Sequence, residues 1–201
     1  GAFGSIRFLK NITGLWIIQE CRRYWEAQGK TIDYGEITAE AMKCEGFRSI
    51  INPNNQIFVQ AGNMIPKIQN YCKETGQPVP ETIGEIIRCG NDSLALAYRQ
   101  VVENLEELSG KTISQIHMVG GGTKNVLLSK LTADITGKTV VTGPIEGTVI
   151  GNLLMQGLGE GVIKDIKEAR EIVRNSEDIK VIEPNSDFNC DKVYAKFKTL
   201  P

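Results

Sequence analysis

Apolar residues recur every three to four positions along the first half of the chain, which is the spacing of amphipathic helices. The pattern predicts four helices, over residues 12–28, 31–44, 64–76 and about 80–110. The longest begins near Pro80 or Glu81, where proline is favoured at a helix start, and Gly110 ends it. The segment between the second and third helices contains the turn sequence NPNN at 52–55 and is predicted to be irregular.

The second half of the chain alternates between strand and helix patterns. Strands are predicted over 112–119 and 138–143, and helices over 123–137, 144–161 and 165–176. Strand, helix, strand and helix at this spacing imply parallel strands joined by a crossover, which makes the fold class α/β. A further short strand is predicted at 5–9, and the chain after Glu183 is predicted to wrap as an extended segment with an amphipathic end.

Three consecutive glycines, Gly120, Gly121 and Gly122, stand between the first of these two strands and the helix that follows it. In an α/β sheet this position lies at the carboxyl edge, where ligands bind. Glycine permits positive φ and lets a flat ring or a phosphate approach the main chain. The N-terminus of the next helix adds partial positive charge. A nucleotide is therefore the physical candidate for a ligand.

The spacing of these glycines matches neither of two common nucleotide motifs. The stretch GGGTKN lacks the spacing and the lysine of the GxxxxGK[ST] phosphate loop, and it is not a GxGxxG turn. On spacing alone, a tight strand-to-helix turn without any ligand is an equal interpretation. His117, the single histidine, lies in the predicted strand among apolar neighbours and is interpreted as a core or edge residue, since no nucleophile pattern accompanies it.

Composition narrows the class of protein. Lys and Arg number 23 against 24 Asp and Glu, and this balance argues against a nucleic-acid-binding protein. The sequence has no run of 18 apolar residues and no signal-peptide pattern, so no membrane association is expected. The five Cys form no CxxC or Cys/His cluster, which argues against structural zinc and favours free thiols in a cytoplasmic protein.

Several stretches together resemble the FGGY carbohydrate kinases. The segment HMVGGGTKNVLLSKLTADITGKTVVTGPIEGTVIGN, from His117 to Asn152, is similar to the adenosine-binding segment of that family. The resemblance extends over roughly residues 1–185. It implies an actin-like ATPase or ribonuclease H-like domain, with parallel strands, helices on both faces of the sheet and a helical insertion in the middle.

The resemblance also implies how the chain is organised. Residues 1–201 are expected to be the C-terminal, nucleotide-binding domain of a two-domain sugar kinase. The abrupt start GAFGSIRFL fits a piece that lacks the N-terminal sugar-binding domain. The catalytic aspartate and the phosphate loops of the family are expected in that other part. No catalytic residue and no metal ligand is therefore assigned in this sequence.

Residue by residue, the resemblance implies an ATP site and one sugar contact. Gly121, the central glycine, would lie against the adenosine part of ATP. Asn125 would position the nucleotide or cap the following helix, and Asn11 would reach the sugar from the cleft between the domains. The expected ATP contacts are Gly120, Gly121, Gly122, Asn125 and Gln19.

A narrower resemblance concerns the substrate. The stretches FLKNITGLWIIQECRR, IINPNNQIF and DSLALAYRQVVENLEEL are similar to the branch of the family that phosphorylates L-rhamnulose. The implied reaction transfers a phosphoryl group from ATP, with Mg²⁺, to the 1-hydroxyl of that sugar in the cytoplasm. Some members of the branch also carry Cys where this chain has Cys72 and Cys89, which are expected to approach each other across two helices.

Three other interpretations stay open. Another FGGY kinase, acting on L-fuculose or D-xylulose, would share the ATP site, because the sugar is chosen mostly by the other domain. A non-catalytic actin-like module would bind ATP without turning over a sugar. A plain α/β domain whose glycines only make turns would bind no nucleotide.

Overall fold

The computed structural model describes residues 4, 6 and 8–201. Its three strands are β1 (Gln115–Met118), β2 (Thr139–Thr142) and β3 (Lys180–Ile182). Its helices are α1 (Trp16–Glu26), α2 (Tyr34–Met42), α3 (Met64–Glu74), α4 (Ile83–Ser109), α5 (Val126–Thr136), α6 (Gly147–Gly159), α7 (Ile166–Ser176) and α8 (Asp191–Phe197). Two short 3-10 turns, Gln56–Phe58 and Gly121–Lys124, complete the regular structure.

The seven helices predicted from periodicity are confirmed as α1 to α7, each within a few residues of its predicted bounds. The longest, α4, has 27 residues and ends at Gly110 as predicted, with φ of 65° at that glycine. It starts slightly later than predicted, because Thr82 and Glu85 form a capping box. No helix within residues 4, 6 and 8–201 is long and apolar enough to cross a membrane.

The sheet has the strand order β1-β2-β3. β1 and β2 are parallel, with His117 opposite Val141, so the predicted crossover is confirmed. β3 runs antiparallel to β2 and was not predicted, because three residues give too short a pattern to detect. The strand predicted at 5–9 is not seen: residues 5 and 7 lie outside the described residues, and 6, 8 and 9 belong to no strand.

Helices cover both faces of the sheet, as the family resemblance implied. Ile116 and Met118 of β1 line a cavity together with residues of α4 and α5. Gln115 and His117 point to the opposite face and line a groove with residues of α6 and α7. His117 is exposed on an edge strand, which agrees with the interpretation of this histidine as an edge residue.

The largest core lies among the helices rather than against the sheet. It joins α1 to α5 with the C-terminal helix α8 through a single cluster of buried apolar side chains that includes Ile17, Ile37, Ile68, Ile87, Leu128 and Phe197. Between β3 and α8 the chain has no regular structure and turns at residues 186–187, so only the amphipathic end of the predicted extended wrap is seen, as α8. Tyr194 holds it there, because its hydroxyl donates to the Glu103 carboxylate of α4 at 2.6 Å.

Three consecutive polar residues, Asn91, Asp92 and Ser93, are fully buried in the middle of α4. The Asp92 carboxylate accepts from the backbone N–H of Phe47 at 2.6 Å and from Arg88 Nε at 2.9 Å. Burial raises the pKa of Asp92 to about 6, and the charge of Arg88 opposes that shift. Asp92 and Ser93 accept hydrogen bonds from the backbone N–H groups of Phe47 and Ile51, in the irregular segment that follows α2.

All five cysteines are free. Cys72 of α3 and Cys89 of α4 are buried and their thiols interact, so the expected approach across two helices is confirmed. The interaction with Cys72, together with burial, raises the pKa of the Cys89 thiol. Both residues therefore pack as small apolar groups in the core.

Replacing Gly84 with alanine is expected to destabilise the protein. A Cβ at this position would lie 2.7 Å from the backbone oxygen of Glu40 and 2.8 Å from the Cys44 sulfur, so α2 and α4 would have to separate. Overpacking of this kind costs about 1–3 kcal/mol. The measurement is the thermal unfolding midpoint of Gly84→Ala beside wild type.

Gly151→Ala is the matched control for that change. Gly151 also lies within a helix, but a Cβ there would meet nothing within 4 Å. The control should be neutral or more stable by up to about 1 kcal/mol, since alanine favours helix over glycine. Equal midpoints for the two variants would contradict the steric argument.

Candidate functional site

A cavity of about 450 Å³ opens beside the triple glycine. We call it the glycine cavity. Four parts of the chain form its walls: α1, α2, α4 and the 3-10 turn that precedes α5. The residues that line it are Leu15, Ile18, Gln19, Tyr34, Ile37, Thr38, Ile87, Gly121, Gly122, Lys124 and Asn125. Apolar side chains thus surround a small number of amide, hydroxyl and amine groups, which is the usual composition of a small-molecule site.

Gly120 shapes the turn that leaves β1. Its φ of 88° and ψ of −175° are conformations that only glycine adopts readily. Its N–H donates to the Pro144 oxygen at 2.9 Å, which ties the end of β1 to the segment that follows β2. Its own oxygen accepts from the Thr123 hydroxyl at 2.8 Å. Gly120 does not line the cavity, so its contribution is to aim the next two glycines.

Gly121 and Gly122 are glycines for different reasons. A Cβ at Gly122 would lie 3.0 Å from Leu15 Cδ1, so this glycine allows the turn to pack against the start of α1. Gly121 has no positive φ, and a Cβ there would meet nothing within 4 Å. Neither backbone strain nor protein packing requires a glycine at Gly121. Its bare backbone is turned to the cavity, where a ligand can approach it.

Asn125 fixes the turn to α4. Its Oδ1 accepts from the backbone N–H of Leu128 at 3.0 Å and so caps α5. Its Nδ2 donates to Asn91 Oδ1 at 2.7 Å. Asn91 is fully buried and in turn donates to the Ile87 oxygen at 2.9 Å. Helix capping, one of the two roles expected for Asn125, is therefore present, and a role toward a nucleotide stays a prediction.

The structure brings four of the residues expected to contact ATP to one cavity. Gln19 lies on α1, is exposed, and lines the cavity together with Gly121, Gly122 and Asn125. Asn11 lies outside the glycine cavity, exposed in the segment before α1, so its expected sugar contact stays a prediction.

Sequence reasoning did not identify the residues of α2 that line the cavity. It also did not identify the residue of α4 that holds the glycine turn in place. Tyr34 and Thr38 line the cavity from α2, although α2 carries no recognisable motif. Asn91 supports the turn from beneath, and it does carry a signal in the sequence. An Asn-Asp-Ser triplet in the middle of an apolar helix stripe indicates that these polar side chains are buried and make hydrogen bonds there.

The chemistry of the cavity suits binding rather than catalysis. Its lining, within the described part of the chain, includes no carboxylate and no nucleophile paired with a base. Residues 4, 6 and 8–201 also contain no group of three His, Cys, Asp or Glu side chains arranged to hold a metal ion. A flat, partly apolar ligand with polar edges fits this combination of backbone, amide and apolar wall.

Comparison with known proteins places this chain within a family. Residues 1–160 match the C-terminal domain of the FGGY family of carbohydrate kinases. A rhamnulokinase from Bacteroides thetaiotaomicron is 44% identical over 98% of this chain and 40% of its own length. A rhamnulokinase from Bacillus subtilis is 46% identical over the same shares. The chain thus spans about 40% of the length of the curated relatives it matches.

Solved structures show the same fold at lower sequence identity. The xylulose kinase from Rhodospirillum rubrum superposes with a TM-score of 0.62 at 18% identity, over 92% of this chain and 36% of that protein. The Plasmodium falciparum glycerol kinase with ADP gives a TM-score of 0.55 at 18% identity, over 87% and 34%. Both are sugar or polyol kinases by name, and the actin-like ATPase fold expected from the resemblance is confirmed.

Asn125→Ala is expected to destabilise the protein by about 1–3 kcal/mol. The variant loses the cap of α5 and leaves the buried Asn91 oxygen without its donor. Chemical denaturation followed by circular dichroism measures the difference. Asn152→Ala is the control, because Asn152 is exposed and only accepts from Gln156 on its own helix. The control should stay within about 0.5 kcal/mol of wild type, and a similar loss in both variants would refute the structural role of Asn125.

Proposed function

The chain belongs to the FGGY family of carbohydrate kinases, and from that premise we propose that it supplies the adenosine-binding half of an ATP-dependent L-rhamnulose kinase. The reaction is ATP + L-rhamnulose to ADP + L-rhamnulose 1-phosphate. Support for the sugar comes from relatives named rhamnulokinase, which match almost the whole chain at 44% and 46% identity. The same proposal places the enzyme in the cytoplasm.

The observation that carries the nucleotide part of the proposal is the bare backbone at Gly121. Nothing in the protein occupies the space where a side chain would stand, and no backbone strain explains the glycine. A purine or ribose ring lying against this backbone accounts for both facts. Gly122 continues the flat surface toward Leu15, and the apolar residues Ile18 and Ile87 complete a wall suited to the base.

Polar groups at the cavity suit the rest of the nucleotide. Gln19 offers both an amide donor and an amide acceptor and has its side chain exposed at the wall. Asn125 keeps the turn in place through Asn91, so the glycine surface is fixed before a ligand arrives. Preorganisation of this kind lowers the entropy cost of binding.

The chemical step is assigned to a part of the enzyme other than this chain. We propose that an N-terminal sugar-binding domain carries the catalytic aspartate and the phosphate loops, and that Asn11 reaches the sugar from the cleft between the domains. Bound Mg²⁺ supplies charge neutralisation at the ATP phosphates. The task of this chain is to hold adenosine while the cleft closes and excludes water.

The experiment that tests the whole proposal is a sugar panel with the complete enzyme. ATP turnover is measured with L-rhamnulose, L-fuculose and D-xylulose side by side. We expect L-rhamnulose to give the highest kcat/KM by at least about tenfold. A preference for another ketose would refute the substrate and keep the ATP site. ATP binding without turnover of any sugar would identify a non-catalytic module instead.

Gly121→Val is expected to raise the KM for ATP by about tenfold or more, because its side chain fills the surface against which adenosine packs. The KM for the sugar should change less than about twofold, since the sugar contacts other residues. Gly151→Val is the matched control, because a Cβ there also meets open space, but outside the cavity. Steady-state kinetics at saturating sugar measures both variants. An unchanged KM for ATP in Gly121→Val would exclude the adenosine role.

A further inference from the structure

One wall of the glycine cavity has no assigned role. The turn, α1 and α4 contribute Gly121, Gln19 and Ile87, while the remaining wall is the first turn and a half of α2. Tyr34, Ile37 and Thr38 stand three and four positions apart, so they share one face of that helix. All three line the cavity. The same cavity is lined by Gly121 and Gly122 of the glycine turn.

Helix α2, which forms this wall, is held in place by its N-terminal cap and by close packing on α4. Asp33 caps the helix, accepting from the Glu36 N–H at 2.9 Å, while the Glu36 carboxylate accepts from the Asp33 N–H at 3.1 Å. Gly84 lets α2 pack tightly on α4, since a Cβ there would lie 2.7 Å from the Glu40 oxygen. Because α4 also holds the glycine turn through Asn91, the two walls of the cavity are anchored to the same helix.

Tyr34 lines the cavity, and its ring packs against the guanidinium group of Arg22. The Arg22 guanidinium carbon lies 4.7 Å from the ring centroid. Glu26 holds Arg22 through an ion pair of 2.9 Å. Tyr34 as a whole is 46% exposed and so remains available for contact. An aromatic ring fixed in this way offers a stacking or edge surface to a base.

Thr38 presents an oxygen that can only accept a hydrogen bond. Its hydroxyl lies 2.7 Å from the Tyr34 backbone oxygen, and a carbonyl cannot donate, so the hydroxyl proton is used there. The lone pairs of Oγ1 remain. An acceptor at this wall favours the exocyclic amino group of adenine, which donates, and opposes the 6-oxo group of guanine, which accepts.

We propose that Tyr34 and Thr38 form the base-recognition side of the glycine cavity, and that Thr38 selects adenine over guanine. This assignment rests on the proposed ATP function and extends it to the choice of nucleoside triphosphate. The Tyr34 ring packs on either base, while the Thr38 oxygen accepts a hydrogen bond from the amino group at one edge of adenine. Neither residue touches the phosphate that is transferred, so both are specificity residues and not catalytic ones.

Thr38→Val tests the hydrogen bond to the base, because valine keeps the shape of the threonine side chain and removes the acceptor oxygen. The kcat/KM values for ATP and for GTP are measured with the complete enzyme at saturating L-rhamnulose. The preference for ATP over GTP should fall about tenfold, as expected for the loss of one discriminating hydrogen bond.

Thr136→Val is the matched control. Thr136 also donates to the carbonyl four residues earlier, at 2.6 Å from the Thr132 oxygen, but lies on α5 and does not line the glycine cavity. This variant should keep the ATP preference of wild type. A Thr38→Val enzyme with an unchanged ratio of kcat/KM for ATP and GTP would overturn the assignment of Thr38.

Tyr34 is tested by a pair of substitutions. Tyr34→Ala should raise the KM for ATP and for GTP by similar factors of about five to ten, because stacking tolerates any base. Tyr34→Phe keeps the ring and should stay within about twofold of wild type. If Tyr34→Phe weakened binding as much as Tyr34→Ala, the ring would not be the contact and the packing role would be wrong.

A binding measurement separates this inference from the proposed kinase function. Displacement of a fluorescent ADP analogue by ADP and by GDP needs no sugar and no turnover. If wild type turned over no sugar but preferred ADP to GDP, and Thr38→Val removed that preference, the kinase proposal would fail and the base assignment would stand. If sugar turnover were normal and Thr38→Val still preferred ADP, the base assignment alone would fail.

Discussion

The hydrogen bond between Asn125 and Asn91 is the contact on which the arrangement of the site depends. It joins the segment that follows the sheet to the middle of the longest helix, at 2.7 Å and in a buried environment. Each amide has a second bond, so neither group is left unpaired. Through this contact, a turn made largely of glycine gains a fixed position without needing side chains of its own.

The helix α4 is the common support of the domain. It packs against α1, α2 and α5, and its buried residues Asp92 and Ser93 bond the irregular segment after α2. In the C-terminal half of α4, Glu103 accepts a hydrogen bond from Tyr194 and so holds the C-terminal helix α8. The glycine turn and α2, which form two walls of the glycine cavity, are therefore both held in position by α4. Rigidity at the binding surface comes from a structural element that contributes just one residue, Ile87, to the lining.

Much of the fold could be read from the sequence, and less of the site. Helices α1 to α7 and the parallel pair β1–β2 follow from local periodicity and from the glycines that end them. β3 is too short to give a pattern, and its antiparallel pairing depends on the path of the chain after α7. The glycine turn carries a local signal, whereas Tyr34 and Thr38 do not. Their place in the cavity depends on the close packing of α2 on α4 at Gly84, a contact between segments far apart in the chain.

The sheet order leaves one place, within the described residues, at which another strand can pair. β1 is an edge strand within the described residues, and its outer backbone N–H and C=O groups have no strand beside them. Exposed Val119 directly follows it, and open apolar cavities flank both of its faces. An edge of this kind is a template for another strand. Within the described part of the chain, β1 is therefore the position at which a further strand would join the sheet through backbone hydrogen bonds.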